Sequence, residues 1–286
     1  MDTATTAKKI SLYLPRIGLS CLILCLISGL VLVFYYRPLG NVFRNVEEIT
    51  TLVPYGYFFR QIHYASGQLF VILMLVHTMD QFLRRRYHSY FTVEWTFLIF
   101  SLCICFFVLF TGFILKGDKE GFFAGQILMN ILKEIPTIGA YTSRLFIVPG
   151  KSFFFLPFLY HCFFLPVLII FLIRTHSHEW LPDKKFLFIT SIGLFLYAIF
   201  VEHHIDIPPD AHIDIVKGPW FFLGIQNLLK IMPPLWPSLY FPGLFMGCLF
   251  ILPHTRTTWR KVLHYFIIIS FSFYGVLTLK VIFIGL

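Results

Sequence analysis

Long runs of apolar residues alternate with short polar segments along the whole chain. Each run is about 20 residues long, enough for a helix to cross roughly 30 Å of hydrocarbon. Seven such runs predict seven transmembrane helices, near residues 13–36, 57–83, 92–115, 152–175, 185–203, 238–253 and 262–284. The pattern predicts an all-α fold, a polytopic membrane helical bundle. The first run continues past any small-residue cleavage site, so we expect a retained helix and no cleavable signal peptide.

The composition supports a location in the bilayer. Hydrophobic residues make up 58% of the chain, aromatic residues 19%, and the mean hydropathy is +0.79. This is more apolar surface than a soluble domain can bury. The net charge of +9 would suggest nucleic acid in a soluble protein, but in a membrane protein its distribution between loops carries the information. We therefore expect no nucleic-acid partner.

The charged residues divide unequally between the two sets of loops. The N-terminus and the loops near residues 84–91, 174–185 and 254–261 hold twelve basic residues and few acids, whereas the opposite loops hold ten basic residues and nine acids. Short basic loops stay on the cytoplasmic side of a membrane. The bias predicts an inside N-terminus and an outside C-terminus, in what we expect to be a bacterial cytoplasmic (inner) membrane.

The six cysteines all fall in predicted helices, and none forms a CxxC or CxxCH signature. We expect them to be core residues. This argues against a covalent c-type haem or a cysteine-ligated iron–sulfur cluster in this chain.

Four histidines lie deep in two of the predicted helices, where an imidazole needs a partner, a metal or a water-lined cavity. His63 and His77 are fourteen residues apart on the second helix, and His161 and His176 are fifteen apart on the fourth. Fourteen residues bring two side chains within about 40° of one face and about 21 Å apart; fifteen give about 60° and 22 Å. Because these helices run antiparallel, His63 should match the depth of His161, and His77 that of His176. The spacing predicts two bis-histidine sites, each binding one non-covalent b-type haem by its iron.

The alternative is four unrelated histidines satisfied by backbone carbonyls, which two matched pairs make a poor explanation. A di-iron desaturase would need clustered HxxxH or HxxHH motifs, which His203-His204 and His176-Ser177-His178 do not supply. Gly29 and Gly112 lie at the predicted depth of His63 and could clear space for a macrocycle, although glycine also serves plain helix packing. Arg60 could pair with a haem propionate or act only as an interfacial anchor.

Three local segments resemble the cytochrome b family of bc-type and b6f-type complexes. They are YYRP at 35–38, YFFRQIH at 57–63 and IPTIG at 135–139. The fifteen-residue step from His161 to His176 is similar to the chloroplast-type branch. Residues 1–183 resemble its four-helix di-haem part, and residues 184–286, with GPWFFL at 218–223, resemble a three-helix subunit IV portion fused to it.

The resemblance implies an electron carrier that works with membrane quinone. His63 and His161 would hold the outer haem iron, His77 and His176 the inner one, with a quinol site outside and a quinone site near the inner haem. Other redox subunits would be needed, such as a Rieske-type iron–sulfur protein, a c-type or multihaem cytochrome, or a dehydrogenase. A dimer of complexes is usual for the family.

The chain departs from the family where quinol chemistry is decided. The family's Pro-Glu-Trp-Tyr motif reads GPWF at 218–221, which keeps Trp220 and lacks the carboxylate proposed to accept a proton. Asp214 or Asp118 could substitute as the catalytic acid, although we favour their interpretation as solvated loop charges. Pro15 and Leu98 replace the glycines beside the inner haem, and Tyr13 replaces the cysteine that attaches an extra haem.

Two functions follow. The first is the quinol-oxidising core of a bc-like complex, which the Trp220 segment and the fused second part favour. The second is a non-bifurcating, quinone-reactive anchor for a dehydrogenase or multihaem cytochrome, which the missing glutamate favours. A haem-free transporter is a distant third, since no inverted repeat is evident.

Overall fold

The computed structural model describes residues 3–201, 207–212 and 216–285, with side chains from residue 13 onward. Within these ranges the chain forms helices and turns and no strand. The α-helices are α1 Thr3–Val33, α2 Val42–Thr51, α3 Gly56–Leu83, α4 Thr92–Ile114, α5 Lys119–Lys133, α6 Gly139–Phe146, α7 Phe155–Leu159, α8 Leu165–Ser177, α9 Lys184–Phe200, α10 Leu223–Leu228, α11 Phe241–Ile251 and α12 Thr257–Ile284. The predicted all-α helical bundle is confirmed.

Six helical segments of the described chain are long and apolar enough to span a membrane. They are Tyr13–Val33, Gly56–Leu83, Thr92–Ile114, Phe155–Trp180, Trp236–His254 and Thr257–Ile284. The remaining predicted span corresponds to α9, which has 17 residues and is about 25 Å long. It ends because Val201 leaves the helical region for extended backbone. Six of the seven predicted spans are therefore full-length helices, and the fifth is shorter than predicted.

Four helices form the bundle that carries the candidate histidines. α1 packs along α3, and α4 packs along α8. Its buried core contains Cys21, Phe70, Val71, Cys105 and Ile169. This dry layer lies between the two levels at which the histidines occur.

The cysteines divide by location. Cys21, Cys105 and Cys248 are buried, as predicted for core residues, and all six are free thiols. Cys162 is exposed, so the prediction of a core position was wrong for this residue.

The second part of the chain packs on both sides of this bundle. α9 contacts α1 and α3, whereas α11 contacts α4 and α12. The buried Trp95 of α4 donates its indole N–H to the backbone oxygen of Leu249 in α11 at 2.9 Å. Phe82, Tyr87, Leu252 and Ile267 surround this bond. The second part of the chain therefore packs directly against the four-helix bundle.

Short helices cover the end of the bundle that is predicted to face outside. α2 lies in the connection from α1 to α3, and α5 and α6 lie in that from α4 to α7. Tyr36 ties the two connections together by donating its hydroxyl to the backbone oxygen of Leu115 at 3.0 Å. The same end carries the loop that precedes α10, so residues from both parts of the chain meet there.

Candidate functional site

His63 of α3 and His161 lie opposite each other between two antiparallel helices. Their ring centroids are 5.9 Å apart, and the ring planes are inclined by 80°. Both side chains are partly buried among the helices of the bundle. The structure therefore brings together the outer pair that helical spacing predicts.

A backbone oxygen orients each of these rings. Nδ1 of His63 lies 2.9 Å from the backbone oxygen of Cys25, and Nδ1 of His161 lies 3.0 Å from that of Val108. Because a carbonyl oxygen only accepts, Nδ1 carries the proton in each ring and Nε2 keeps its lone pair. A neutral imidazole whose second nitrogen is fixed in this way is the form that ligates a metal.

Two glycines give the outer rings their space. A Cβ at Gly29 would lie 2.9 Å from Cε1 of His63, and a Cβ at Gly112 would lie 2.6 Å from Cε1 of His161. Carbon atoms in contact stand about 3.5–4.0 Å apart. In this structure each glycine leaves space for one imidazole ring. The need for glycine at these positions therefore arises from the histidine side chain, whereas the sequence suggested space for a macrocycle.

His77 and His176 form a second pair at the other end of the bundle. Their ring centroids are 6.1 Å apart. His77 is 7% exposed, and neither of its ring nitrogens has a hydrogen-bond partner among the described residues. A buried polar group left unpaired costs about 1–3 kcal/mol. These unpaired nitrogens point to a bound group between the two rings.

A cavity opens beside the inner pair. Its walls include Pro15, Leu98, Trp95, Phe70 and both inner histidines. The two residues that replace the family's glycines thus lie in the wall of this cavity.

Polar groups at the rim of the inner cavity surround His176. Nδ1 of His176 lies 3.7 Å from Oε1 of Glu94, and the rings of Tyr90 and Trp180 lie 5.7 Å and 6.4 Å from its ring. Burial raises the pKa of the Tyr90 hydroxyl, and the carboxylates of Glu94 and Glu179 add to the shift. Tyr90 is therefore a neutral hydroxyl beside the inner pair at physiological pH.

A π-turn reconciles the two unequal histidine spacings. Residues Tyr160–Phe164 form a π-turn between α7 and α8, in which the N–H of Leu165 bonds to the oxygen of Tyr160. A π-turn adds one residue to a helix, so fifteen residues here cover nearly the rotation of fourteen in α3. Pro166 follows directly, and it has no N–H to continue the regular ladder. Both histidines of this helix can therefore face α3.

The residues present fit a haem at each level. Each pair offers two imidazoles across a gap between helices, and His77 adds two unpaired nitrogens. Two imidazoles on opposite sides of an iron are a known haem ligation. The spacing of fourteen residues in α3 puts the two levels about 21 Å apart.

Arg60 lies at the outer end of α3. Its guanidinium donates to the hydroxyl of Thr50 at 3.0 Å, which links α3 to α2. This contact holds Arg60 near the outer interface. Its predicted pairing with a haem propionate stays a prediction.

The side chain of Asp118 is buried and caps a helix, so Asp118 is not the solvated loop charge that we favoured from sequence. It is 1% exposed and caps α5 by accepting the N–H of Gly121 at 2.8 Å. Its other oxygen lies 2.6 Å from Nζ of Lys116. Both carboxyl oxygens therefore have structural partners, and Asp214, the other candidate acid, lies outside the described residues.

Trp220 joins the second part of the chain to the histidine bundle. Its indole N–H donates to the side-chain oxygen of Gln68 in α3 at 2.8 Å, and its ring lies 6.5 Å from that of Phe106 in α4. The neighbouring Phe222 packs against Phe110 of α4 with ring centroids 5.9 Å apart. Trp220 therefore anchors the 216–222 loop beside the outer end of the bundle.

A second cavity, of about 260 Å³, lies between this loop and α5. Its walls include Glu120, Phe123, Ile127, Phe222 and Gln226. The prediction of candidate acids from sequence missed Glu120. Glu120 lies in the first turn of α5, two residues after the candidate acid Asp118, and this proximity could have suggested it. Only the fold places Glu120 opposite Gly218 and Pro219.

Comparison with known proteins identifies the histidine bundle. The family described as cytochrome b/b6/petB matches residues 4–179. The chain is 30% identical over 165 residues to cytochrome b6 of Mesostigma viride, covering 56% of this chain and 76% of that protein. It is 26% identical over 156 residues to the menaquinol:cytochrome c reductase cytochrome b subunit of Geobacillus thermodenitrificans, covering 53% and 70%.

A solved structure shows the same fold over nearly the whole chain. A hyperthermophilic respiratory complex III chain superposes with a TM-score of 0.69 at 17% identity, covering 93% of this chain and 83% of that one. The shared fold thus continues beyond the residues matched by the family into the second part. Together with the family match, this shows that the chain belongs to the cytochrome b family.

Proposed function

We propose that this chain is the membrane cytochrome b subunit of a quinol-oxidising bc-type complex, in which His63 with His161 and His77 with His176 each ligate one b-type haem. Membership of the family implies b-type haem and interaction with quinone. The observation that carries the number and place of the haems is the pair of bis-imidazole gaps at two levels.

Residues around the two histidine pairs hold the ligand rings in a form that can bind haem iron. The oxygens of Cys25 and Val108 hold the Nδ1 protons of the outer rings, so both Nε2 lone pairs remain available. When bound, haem iron supplies one-electron transfer by changing between its ferric and ferrous forms. The apolar layer around Phe70 and Ile169 keeps water out of the space between the two levels.

Three further residues support haem at the outer level. Gly29 and Gly112 leave room for the ligand rings, and Arg60 lies near enough to the outer interface to pair with a propionate. Phe110, next to Thr111 at this level, contacts the Trp220 loop through Phe222.

The chain requires partners for turnover. Oxidation of a quinol to a quinone gives up two electrons, and this chain offers only haem as acceptor. We propose a Rieske-type iron–sulfur protein together with a c-type cytochrome as outer acceptors, in a dimer of complexes in the bacterial cytoplasmic membrane, with the N-terminus inside and the C-terminus outside.

The alternative anchor function is less well supported. A plain two-haem anchor needs only the four helices of the bundle, whereas the family fold here extends over 93% of the chain. The replacement of the motif's glutamate by Pro219 is the observation in its favour. A quinol-reducible complex that contains no iron–sulfur partner would support that alternative.

A redox titration of the purified complex in the haem α-band tests the proposal. Wild type should show two one-electron b-haem transitions. His63→Ala should lose one and His77→Ala the other, while His254→Ala, an exposed histidine in a turn, should keep both. Variants of the paired histidines that titrate like wild type would overturn the assignment.

A further inference from the structure

The cavity between α5 and the 216–222 loop has the form of a small-ligand site. Its volume of about 260 Å³ is close to the lower end of ligand pockets, about 300 Å³. Most of its lining is apolar, including Phe123, Ile127 and Phe222. Phe123 is 38% exposed and Ile127 37%. An apolar ring could therefore enter between these two side chains.

The cavity is close to the outer histidine pair. Phe222 in its wall packs against Phe110 at 5.9 Å between ring centroids. The next residue, Thr111, has its hydroxyl 3.4 Å from Nδ1 of His161. One layer of side chains thus separates the cavity from the outer haem site.

Among the described residues, Glu120 is the carboxylate that lines this cavity. Glu120 is 26% exposed at its side chain, and its Oε2 lies 3.4 Å from Nζ of Lys116. The same Nζ lies 2.6 Å from Asp118. When Glu120 takes up a proton, Lys116 keeps Asp118 as its counter-ion, so the change leaves no unpaired cation.

Neighbouring elements hold Glu120 in place. Asp118 caps α5, and Gly121 lets the first turn approach α4, because a Cβ there would lie 2.9 Å from the oxygen of Ile114. Across the cavity, Gln226 accepts the N–H of Gly218 at 2.8 Å and fixes the opposite wall. The carboxylate therefore faces a preorganised cavity.

We propose that Glu120 is the catalytic proton acceptor for quinol bound in this cavity, in place of the acid whose position in the motif is taken by Pro219. This inference rests on the proposed function. The carboxylate takes the proton of one quinol hydroxyl, so that the quinol O–H bond breaks and an O–H bond forms on Glu120. The two electrons would be taken by the one-electron acceptors of the proposed function, the haem that His63 and His161 would hold and the oxidised iron–sulfur partner.

The proton balance closes at the outer surface. Oxidation of one quinol to one quinone releases two protons; one passes through Glu120, which is partly exposed and can release it to water, and the second goes directly to outer water. The groups that face Glu120 are Lys116 and Asp118 from the preceding turn, Lys217 from the loop, and Tyr64 of α3, which is within electrostatic range.

The test follows reduction of the haems of the purified complex by menadiol or duroquinol at neutral pH. Glu120→Gln should lower the initial rate at least tenfold, with haem content and midpoint potentials unchanged. Glu120→Asp keeps a carboxylate and should show a smaller loss. Glu134→Gln, at the other end of α5 and outside the cavity, is the matched control and should match wild type.

Glu120→Gln with a wild-type rate would overturn the inference, as would an equal loss in Glu134→Gln. If Glu120→Gln does not assemble, Ile127→Trp provides the second test, because this exposed residue stands at the mouth of the cavity. It should impair quinol oxidation, and wild-type rates in both Ile127→Trp and Glu120→Asp would overturn the inference. A wild-type complex whose haems are reduced by dithionite but by neither quinol would overturn the proposed function instead.

Discussion

Each imidazole of the outer pair is oriented by a backbone oxygen and accommodated by one glycine. The backbone oxygens of Cys25 and Val108 select the tautomer of His63 and His161, and Gly29 and Gly112 leave space for the rings. Sequence spacing predicts the histidines, but it does not reveal which backbone oxygens orient them. Those oxygens come from other helices and are brought near only by packing.

Gly112→Ala tests this requirement for space. The added methyl group would lie 2.6 Å from Cε1 of His161, so the ring must move from its position opposite His63. We expect the outer b-haem transition to shift or disappear, with the inner one unchanged, in a redox titration. Gly243→Ala is the control, because a Cβ there meets nothing within 4 Å; equal behaviour of the two variants would contradict the explanation.

At the scale of helices, the segment from α7 to α8 contains an irregular turn that brings His161 and His176 toward the same face. An unbroken α-helix would leave His161 and His176 about 60° apart, whereas the π-turn at Tyr160–Phe164 takes up the additional residue. The sequence shows Pro166 but does not predict the π-turn. A π-turn has less favourable hydrogen-bond geometry than an α-helix, so tertiary packing must stabilise it. The fifteen-residue step is thus a property of this irregular helix.

Single-residue deletions separate the π-turn from the regular helix. Deletion of Phe163, which lies in the π-turn and is 60% exposed, should convert the turn to α-helix and preserve both haems. Deletion of Ile170, in regular α8 and 49% exposed, should rotate the two histidines relative to each other by about 100° and remove one haem. The haem-to-protein ratio measures both, and loss of haem in the Phe163 deletion would contradict the explanation.

Asp118 also belongs to the scale of elements, because it sets the start of α5. Asn at the same position caps a helix about as well as Asp, whereas Ala costs about 0.5–2 kcal/mol. Asp118→Ala should therefore lower the thermal unfolding temperature of the complex more than Asp118→Asn. If Asn destabilises as much as Ala, the ion pair with Lys116 outweighs the cap.

For the whole molecule, the decisive contacts are those between the two parts of the chain. Trp95 bonds to Leu249 on one side, and Trp220 bonds to Gln68 at the outer end. The Trp220 contact holds the 216–222 loop at the outer end, where this loop and α5 line the cavity that contains Glu120. The division at residues 183 and 184 stays a prediction, because both parts contribute to one packed structure.

Trp220→Phe tests whether the loop contact supports quinol chemistry. The variant keeps an aromatic ring and loses the N–H donor, a bond worth about 1 kcal/mol. We expect quinol-dependent haem reduction to slow several-fold, with both haem potentials unchanged. Trp236→Phe, at an exposed position, should leave the rate as in wild type, and a haem potential that moves in Trp220→Phe would contradict a role confined to the quinol site.

The sequence by itself determined the membrane bundle, the helices that carry the four histidines, and the pairing of those histidines by depth, since apolar run length and helical periodicity are local properties. It also carried the family resemblance through YYRP, YFFRQIH and IPTIG. Only the tertiary structure decided that the fifth predicted span is a helix of 17 residues, that Asp118 is buried as a cap, and that Glu120 faces Gly218 and Pro219 across a cavity. The physical reason is that these features depend on contacts between residues far apart in the chain, and such contacts leave no local periodicity to read.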